Sequence, residues 1–288
     1  MVKFDTFNNL HPRVSEESEL KTIKGLIINS GADYLTCHVQ SLTDDFKSCI
    51  RNHLQNICHG TALAERGLSG QTYQRTLKAF RSRYIPKTDN IKKGMIGELL
   101  THVVIFELLD NFDVVSPFFN MEEKSQRKGF DLILVEANGE NVWITEVKSG
   151  ALNQSGCPDN STSSFLKIAK NDLNRRLNES EMTFWQNAIN STNNSILDCR
   201  DYKDVIIKIL DDELVAAADE RAHSKDNNVI LVSILYSEIS NPFNTNIVIE
   251  TCSKIKEESI FNKVFTLSIQ KSTYEKVAHF LFEEELDG

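Results

Sequence analysis

The segment GFDLILVEANGENVWITEVKSG, residues 129–150, constrains this chain more than any other stretch. Two runs rich in Val, Ile and Leu flank Asn138-Gly139, and both of these residues tolerate the positive φ that a tight hairpin turn needs. With Asn138 and Gly139 as the two turn residues, Ala137 is expected opposite Glu140, Val135 opposite Val142, Ile133 opposite Ile144, and Asp131 opposite Glu146. Alternation then puts Asp131, Ile133, Val135, Val142, Ile144, Glu146 and Lys148 on one face, and Phe130, Leu132, Leu134, Trp143 and Val147 on the other. Both faces are apolar, as in a sheet covered by helices on two sides. Like charges directly opposed across a strand pair are destabilising, so a cation is expected between Asp131 and Glu146. Lys148 is one candidate and a divalent metal held by carboxylate oxygens is the other. A plain solvated Glu146/Lys148 pair is the ordinary alternative, but the register and the apolar surroundings favour a site at the sheet rim.

A chain of 288 residues with 40% hydrophobic and 25% charged residues is long enough to bury a substantial core. Its six cysteines, Cys37, Cys49, Cys58, Cys157, Cys199 and Cys252, contain no Cys-x-x-Cys pair and read as reduced thiols. The start MVKFDTFNNLHPR has no apolar signal region, and the most apolar stretch, 95–109, is broken by Glu98, His102 and Glu107. A soluble cytoplasmic protein with no membrane segment is expected. The net charge of −9 disfavours strong binding to nucleic acid by the chain alone. A basic strip from Arg75 to Lys93, including Lys92 and Lys93, is either a solvated helix face or a track for a phosphate backbone.

Patterning divides the chain at Tyr84-Ile85-Pro86, giving an N-terminal α+β region over 1–88 and a second block over 89–288. Before the break, strands are expected in LKTIKGLIINS and DYLTCHVQSL, a helix over 43–58 capped by Thr43, and a basic helix over 71–83. After it, the order predicted is helix 91–110, strand 113–119, strands 130–136 and 142–148, a polar loop 149–163, and helix 164–178. Helices 181–190 and 201–222, strands 229–235, 246–251 and 264–269, and a last helix 273–285 complete it. This is an α/β or α+β fold, a mixed sheet flanked by helices.

The helix KKGMIGELLTHVVIFELLD holds Gly94 and Gly97, each costing about 1 kcal/mol relative to Ala, which asks for close packing or close approach of a ligand. Glu98 lies beside them and offers a third acidic group to the Asp131/Glu146 pair; capping the core edge is its plainer role.

A helix bearing Glu98, a strand, a hairpin arm carrying Asp131 and a second arm carrying Glu146-Val147-Lys148 resemble the PD-(D/E)XK nuclease core. Gly129-Phe130 stands where that superfamily's proline is expected before the aspartate. The wider setting, GMIGELLTHVV followed by KGFDLILVE and WITEVKSG, more narrowly resembles the HamA-like nuclease subunit of the bacterial Hachiman antiphage system. That resemblance implies a DNase effector controlled by a helicase-like, HamB-like partner. It also implies Mg²⁺, with Mn²⁺ as a substitute, held by Asp131, Glu146, Glu98 and the Val147 carbonyl, and Lys148 working on the attacking water. DNA is the expected substrate, with Lys92, Lys93, Lys167, Lys170 and Arg175 as candidate backbone contacts, the last three opposite Phe165, Ile168 and Leu177. A non-catalytic scaffold or DNA-binding subunit of the same fold, or a restriction or repair nuclease, are the alternatives. Cys49, His53, Cys58 and His59 are zinc-ligand types, but packing explains them, and the Ser-Gly pairs lack the residues of a P-loop.

Overall fold

The computed structural model describes residues 22–109, 111–118, 129–136, 139, 141–196 and 202–284. Strands β1 (Leu26–Ser30) and β2 (Tyr34–Val39) come first, followed by helices α1 (Asp44–His59), α2 (Thr61–Glu65), α3 (Tyr73–Tyr84) and α4 (Asp89–Leu108). Strands β3 (Phe112–Val114), β4 (Leu132–Glu136) and β5 (Val142–Ala151) lead to helices α5 (Pro158–Leu177), α6 (Met182–Ser195) and α7 (Lys203–Ala218). The chain then runs through β6 (Asn228–Tyr236), α8 (Thr245–Glu257), β7 (Lys263–Lys271) and α9 (Glu275–Glu283).

Among the described residues, one seven-stranded sheet holds every strand in the order β1-β2-β7-β6-β5-β4-β3. Its centre, β5, β6, β7 and β2, is parallel, while β1 at one edge and β4 and β3 at the other are antiparallel. All nine residues of β6, NVILVSILY, are buried, as the central strand of a sheet covered on both faces must be. On one face Leu134, Trp143, Val147 and Ile234 pack with Phe46, Ile50, Leu99, Val103 and Leu281 from α1, α4 and α9. On the other, Ile133, Val135, Ile144 and Leu231 pack with Leu166, Leu173, Trp185 and Val248 from α5, α6 and α8. The predicted mixed sheet between helical layers is present. Strands from both sides of residue 88 belong to it, because β2 pairs with β7.

The hairpin keeps the predicted register, with Ile133 opposite Ile144 and Val135 opposite Val142. Gly139 has φ 74°, and a Cβ there would fall 2.1 Å from Cβ of Tyr202, so only glycine fits. Its amide donates to the Glu136 carbonyl at 2.7 Å, and the Glu136 amide donates to the Asn141 carbonyl at 3.0 Å, which keeps the predicted pairing up to the turn. Asn138 and the Ala137–Glu140 pair lie outside the described residues.

Three expectations are corrected. Residues 246–251 are not a strand but part of α8, whose buried residues Val248, Thr251, Cys252 and Ile255 follow a helical period behind an Asn244 cap. The polar loop expected over 149–163 shrinks to 152–157, because β5 continues to Ala151 opposite Tyr236 and α5 starts at Pro158. Ser161, Thr162 and Ser163 are buried in that first part of α5; the Ser161 hydroxyl donates to the Cys157 carbonyl, and Ser163 bonds Thr251. Phe130 does not share the face of Val147. It precedes β4, so strand alternation does not govern it, and its ring lies 5.0 Å from Trp185 and 5.6 Å from Phe184 on the opposite side.

Candidate active site

The carboxyl half of β5 carries Glu146-Val147-Lys148 into the space between α4 and α5. Gly97 lets α4 close down on β5: a Cβ there would meet Ser149 Cβ at 3.0 Å and Ile234 Cδ1 at 3.2 Å. Gly94 does not share this reason, since nothing lies within 4 Å of its Cβ position. Glu98 follows Gly97 directly and is partly buried.

Asp131 stands one residue before β4, and its Oδ2 accepts the Val147 amide proton at 2.7 Å. Glu146 is 0% exposed, and both of its oxygens are engaged. Lys148 Nζ lies 2.6 Å from Oε1, and Arg176 Nη1 lies 2.8 Å from Oε2. Lys148 also reaches Asp172 Oδ2 at 2.8 Å, and Arg176 donates to the Gly129 carbonyl at 3.0 Å. A chain of charges therefore runs Asp172–Lys148–Glu146–Arg176 across the rim.

Burial and the nearby Asp131 charge push the Glu146 carboxyl up to about 7, against the pull of Arg176 and Lys148. Burial also raises Asp131, opposed by the Val147 amide, Arg176 and Lys148. Glu98 is held well above the usual carboxylate range by burial and by the charges of Asp131 and Glu146. Lys148 is pulled down by burial, yet Glu146 and Asp172 more than offset this and keep its proton on. The four residues predicted for the site, Glu98, Asp131, Glu146 and Lys148, thus lie close enough to shift one another's proton affinity.

The donor set suits a hard divalent cation in its chemistry. It is all oxygen, and Glu98, Asp131, Glu146 and Asp172 against Lys148 and Arg176 leave an excess of two negative charges when all are ionised. Its geometry is closed by ion pairs: among the described residues no three His, Cys, Asp or Glu side chains stand grouped to hold a metal.

The candidate DNA contacts are not gathered here. Lys167 is exposed, Lys170 pairs with Glu258 at 2.7 Å, and Arg175 pairs with Glu179 at 2.6 Å. Lys92 and Lys93 lie over the Tyr84 and Tyr274 rings at 5.4 and 5.7 Å. The expected phase of α5 was also off, since Ile168 is exposed while Leu166, Ala169 and Leu173 face the core. That stripe leaves Asp172 and Arg176 on the side of α5 toward β5, where Asp172 meets Lys148 and Arg176 meets Glu146, two contacts that the period of β5 alone does not reveal. The zinc-type residues serve packing: His53 meets Glu107 at 2.7 Å, His59 meets Thr76 at 2.9 Å, and Cys49 and Cys58 are buried thiols.

Among the described residues no helix is long and apolar enough to cross a membrane. None of the curated proteins matches the chain. A sequence model of the HamA family, however, matches residues 6–284, nearly the whole length and both sides of the sheet that frames this acidic rim. The chain belongs to the HamA family.

Proposed function

We propose that this HamA-family chain, a component of Hachiman antiphage defence, is a divalent-metal-dependent DNase of the PD-(D/E)XK type, controlled by a helicase-like partner. The observation that supports this most is the buried Glu146 paired with Lys148, with Asp131 accepting the Val147 amide proton beside it, at the rim of a mixed sheet and within reach of the Glu98 charge. In this reading Asp131 and Glu146 would hold Mg²⁺ or Mn²⁺, with Glu98 and the Val147 carbonyl as further oxygen donors. The ion, when bound, supplies an acidified water and neutralises phosphate charge.

The chain's own residues do the rest. Lys148, kept protonated by Glu146 and Asp172, orients the attacking water and donates toward the negative charge that develops on the phosphate. Glu98, Asp131 and Glu146 bind protons more tightly than ordinary carboxylates and would give them up in holding a cation. The net charge of −9 fits a subunit whose engagement with DNA is shared with a partner.

The closed ion pairs on Glu146 favour a second reading, a nuclease-fold scaffold that keeps these charges for structure. The experiment that separates them is incubation of plasmid and linear DNA with the purified chain, alone and with its helicase-like partner, in Mg²⁺, Mn²⁺ or EDTA. Metal-dependent cutting, altered by the partner, is expected; intact DNA in every arm would leave the scaffold.

A further inference from the structure

We infer that Arg176 is a positioning residue, which aims Glu146 by holding its Oε2 and leaves Oε1 as the oxygen offered to a divalent cation. The inference rests on the metal-site reading above and concerns a residue on α5, outside the hairpin that supplies the acids.

A single nitrogen, Nη1, makes both contacts, to Glu146 Oε2 at 2.8 Å and to the Gly129 carbonyl at 3.0 Å. Gly129 lies two residues before Asp131, so one guanidinium ties the arm carrying Asp131 to the carboxylate of the other arm. Arg176 is fixed from below, because Leu173 and Leu177 on the same helix are buried at 0% and 1%. Its own side chain is only 20% exposed, so it is held in place at the rim. A guanidinium keeps its charge at every working pH and presents donors in a planar fork, so it can bond a carboxylate oxygen and a carbonyl together.

Lys148 differs from it. The ammonium is a point donor shared between Glu146 Oε1 and Asp172, and it can move to Asp172 without leaving its strand. Of the two cations on Glu146, Lys148 is the one placed to give way and Arg176 the one placed to stay. A ligating carboxylate is commonly oriented by a hydrogen bond to its other oxygen, and loss of such a support typically lowers metal affinity or activity about 10- to 100-fold.

The test is a titration of the full-length chain with Mn²⁺, following free Mn²⁺ by electron paramagnetic resonance, for wild type, Arg176→Gln and Arg176→Lys. Melting curves in EDTA establish that each variant is folded. Arg176→Gln is expected to bind Mn²⁺ about 10- to 100-fold more weakly, with Arg176→Lys between it and wild type because the charge is kept. On plasmid DNA the loss is expected in kcat and in the metal concentration required, with KM for DNA unchanged. Should Arg176→Gln not fold, Arg176→Lys decides alone: weaker binding than wild type supports the role, and equal binding overturns it. Wild-type or tighter binding by a folded Arg176→Gln would overturn it as well, showing that Arg176 only competes with the ion. Absence of Mn²⁺ binding by the wild-type chain would overturn the metal site itself.

Discussion

Glu146 is a carboxyl group that the fold has made reluctant to ionise. Its value of about 7, against 4.5 for an ordinary glutamate, means that the folded chain binds more protons than the unfolded chain between those limits. The associated stability is complete below about 4.5 and is lost as pH rises through about 7, a change on the order of 3 kcal/mol. His102 acts in the opposite sense, since burial pushes it down to about 3 and its contribution is lost as pH falls below 6.5. The effect of metal separates the two. Mg²⁺ is expected to raise Tm clearly at pH 8, where it replaces protons and relieves repulsion among Glu98, Asp131 and Glu146, and little at pH 5. Melting curves in Mg²⁺ and EDTA at both pH values check this, and equal shifts at the two would contradict it. The residues of this rim were legible in the sequence where a strand period governed them. The Ile133–Ile144 register followed from the Asn-Gly turn, whereas Phe130, one step outside the ladder, and Arg176, on a helix distant in sequence, did not follow from that period.

At the scale of elements, α4 and β5 are held together by an absent side chain. Gly97→Ala would place a Cβ 3.0 Å from Ser149 Cβ and 3.2 Å from Ile234 Cδ1, so it is expected to lower Tm and to displace Glu98, despite alanine's better helix propensity. Gly94→Ala meets nothing within 4 Å and is expected to stabilise the chain by about 1 kcal/mol. Paired thermal melts test the contrast, and equal signs for the two variants would refute it. The same elements show where pattern reading reached its limit. The run Asn246–Thr251 is short and β-branched, and only the wider spacing to Ile255 reveals a helix. The first turns of α5 look like a loop because Ser161, Thr162 and Ser163 are polar, yet they are small enough to be buried with most of their hydroxyls bonded. In α5 the exposed Ile168 shifted the apparent apolar face, which hid Asp172 and Arg176 behind the solvated Arg175.

At the scale of the whole molecule, the strand order joins what the composition divides. Pro86 does mark a helix boundary, between α3 and α4, but β2 lies against β7 and Phe46 and Ile50 of α1 belong to the same apolar layer as Leu99 and Val103 of α4. A chain truncated to residues 89–288 would expose that layer and the edge of β7. It is expected to be insoluble or readily proteolysed; a soluble, cooperatively melting fragment would refute this. The central claim is that the rim of this sheet performs phosphodiester hydrolysis, and cleavage of plasmid DNA in Mg²⁺ by wild type, Glu146→Ala and Lys148→Ala, each with the helicase-like partner, tests it most directly. The wild-type chain is expected to cut, and both variants to lose about 10²-fold or more of that activity while remaining folded. Cutting by Lys148→Ala at the wild-type rate would contradict the account.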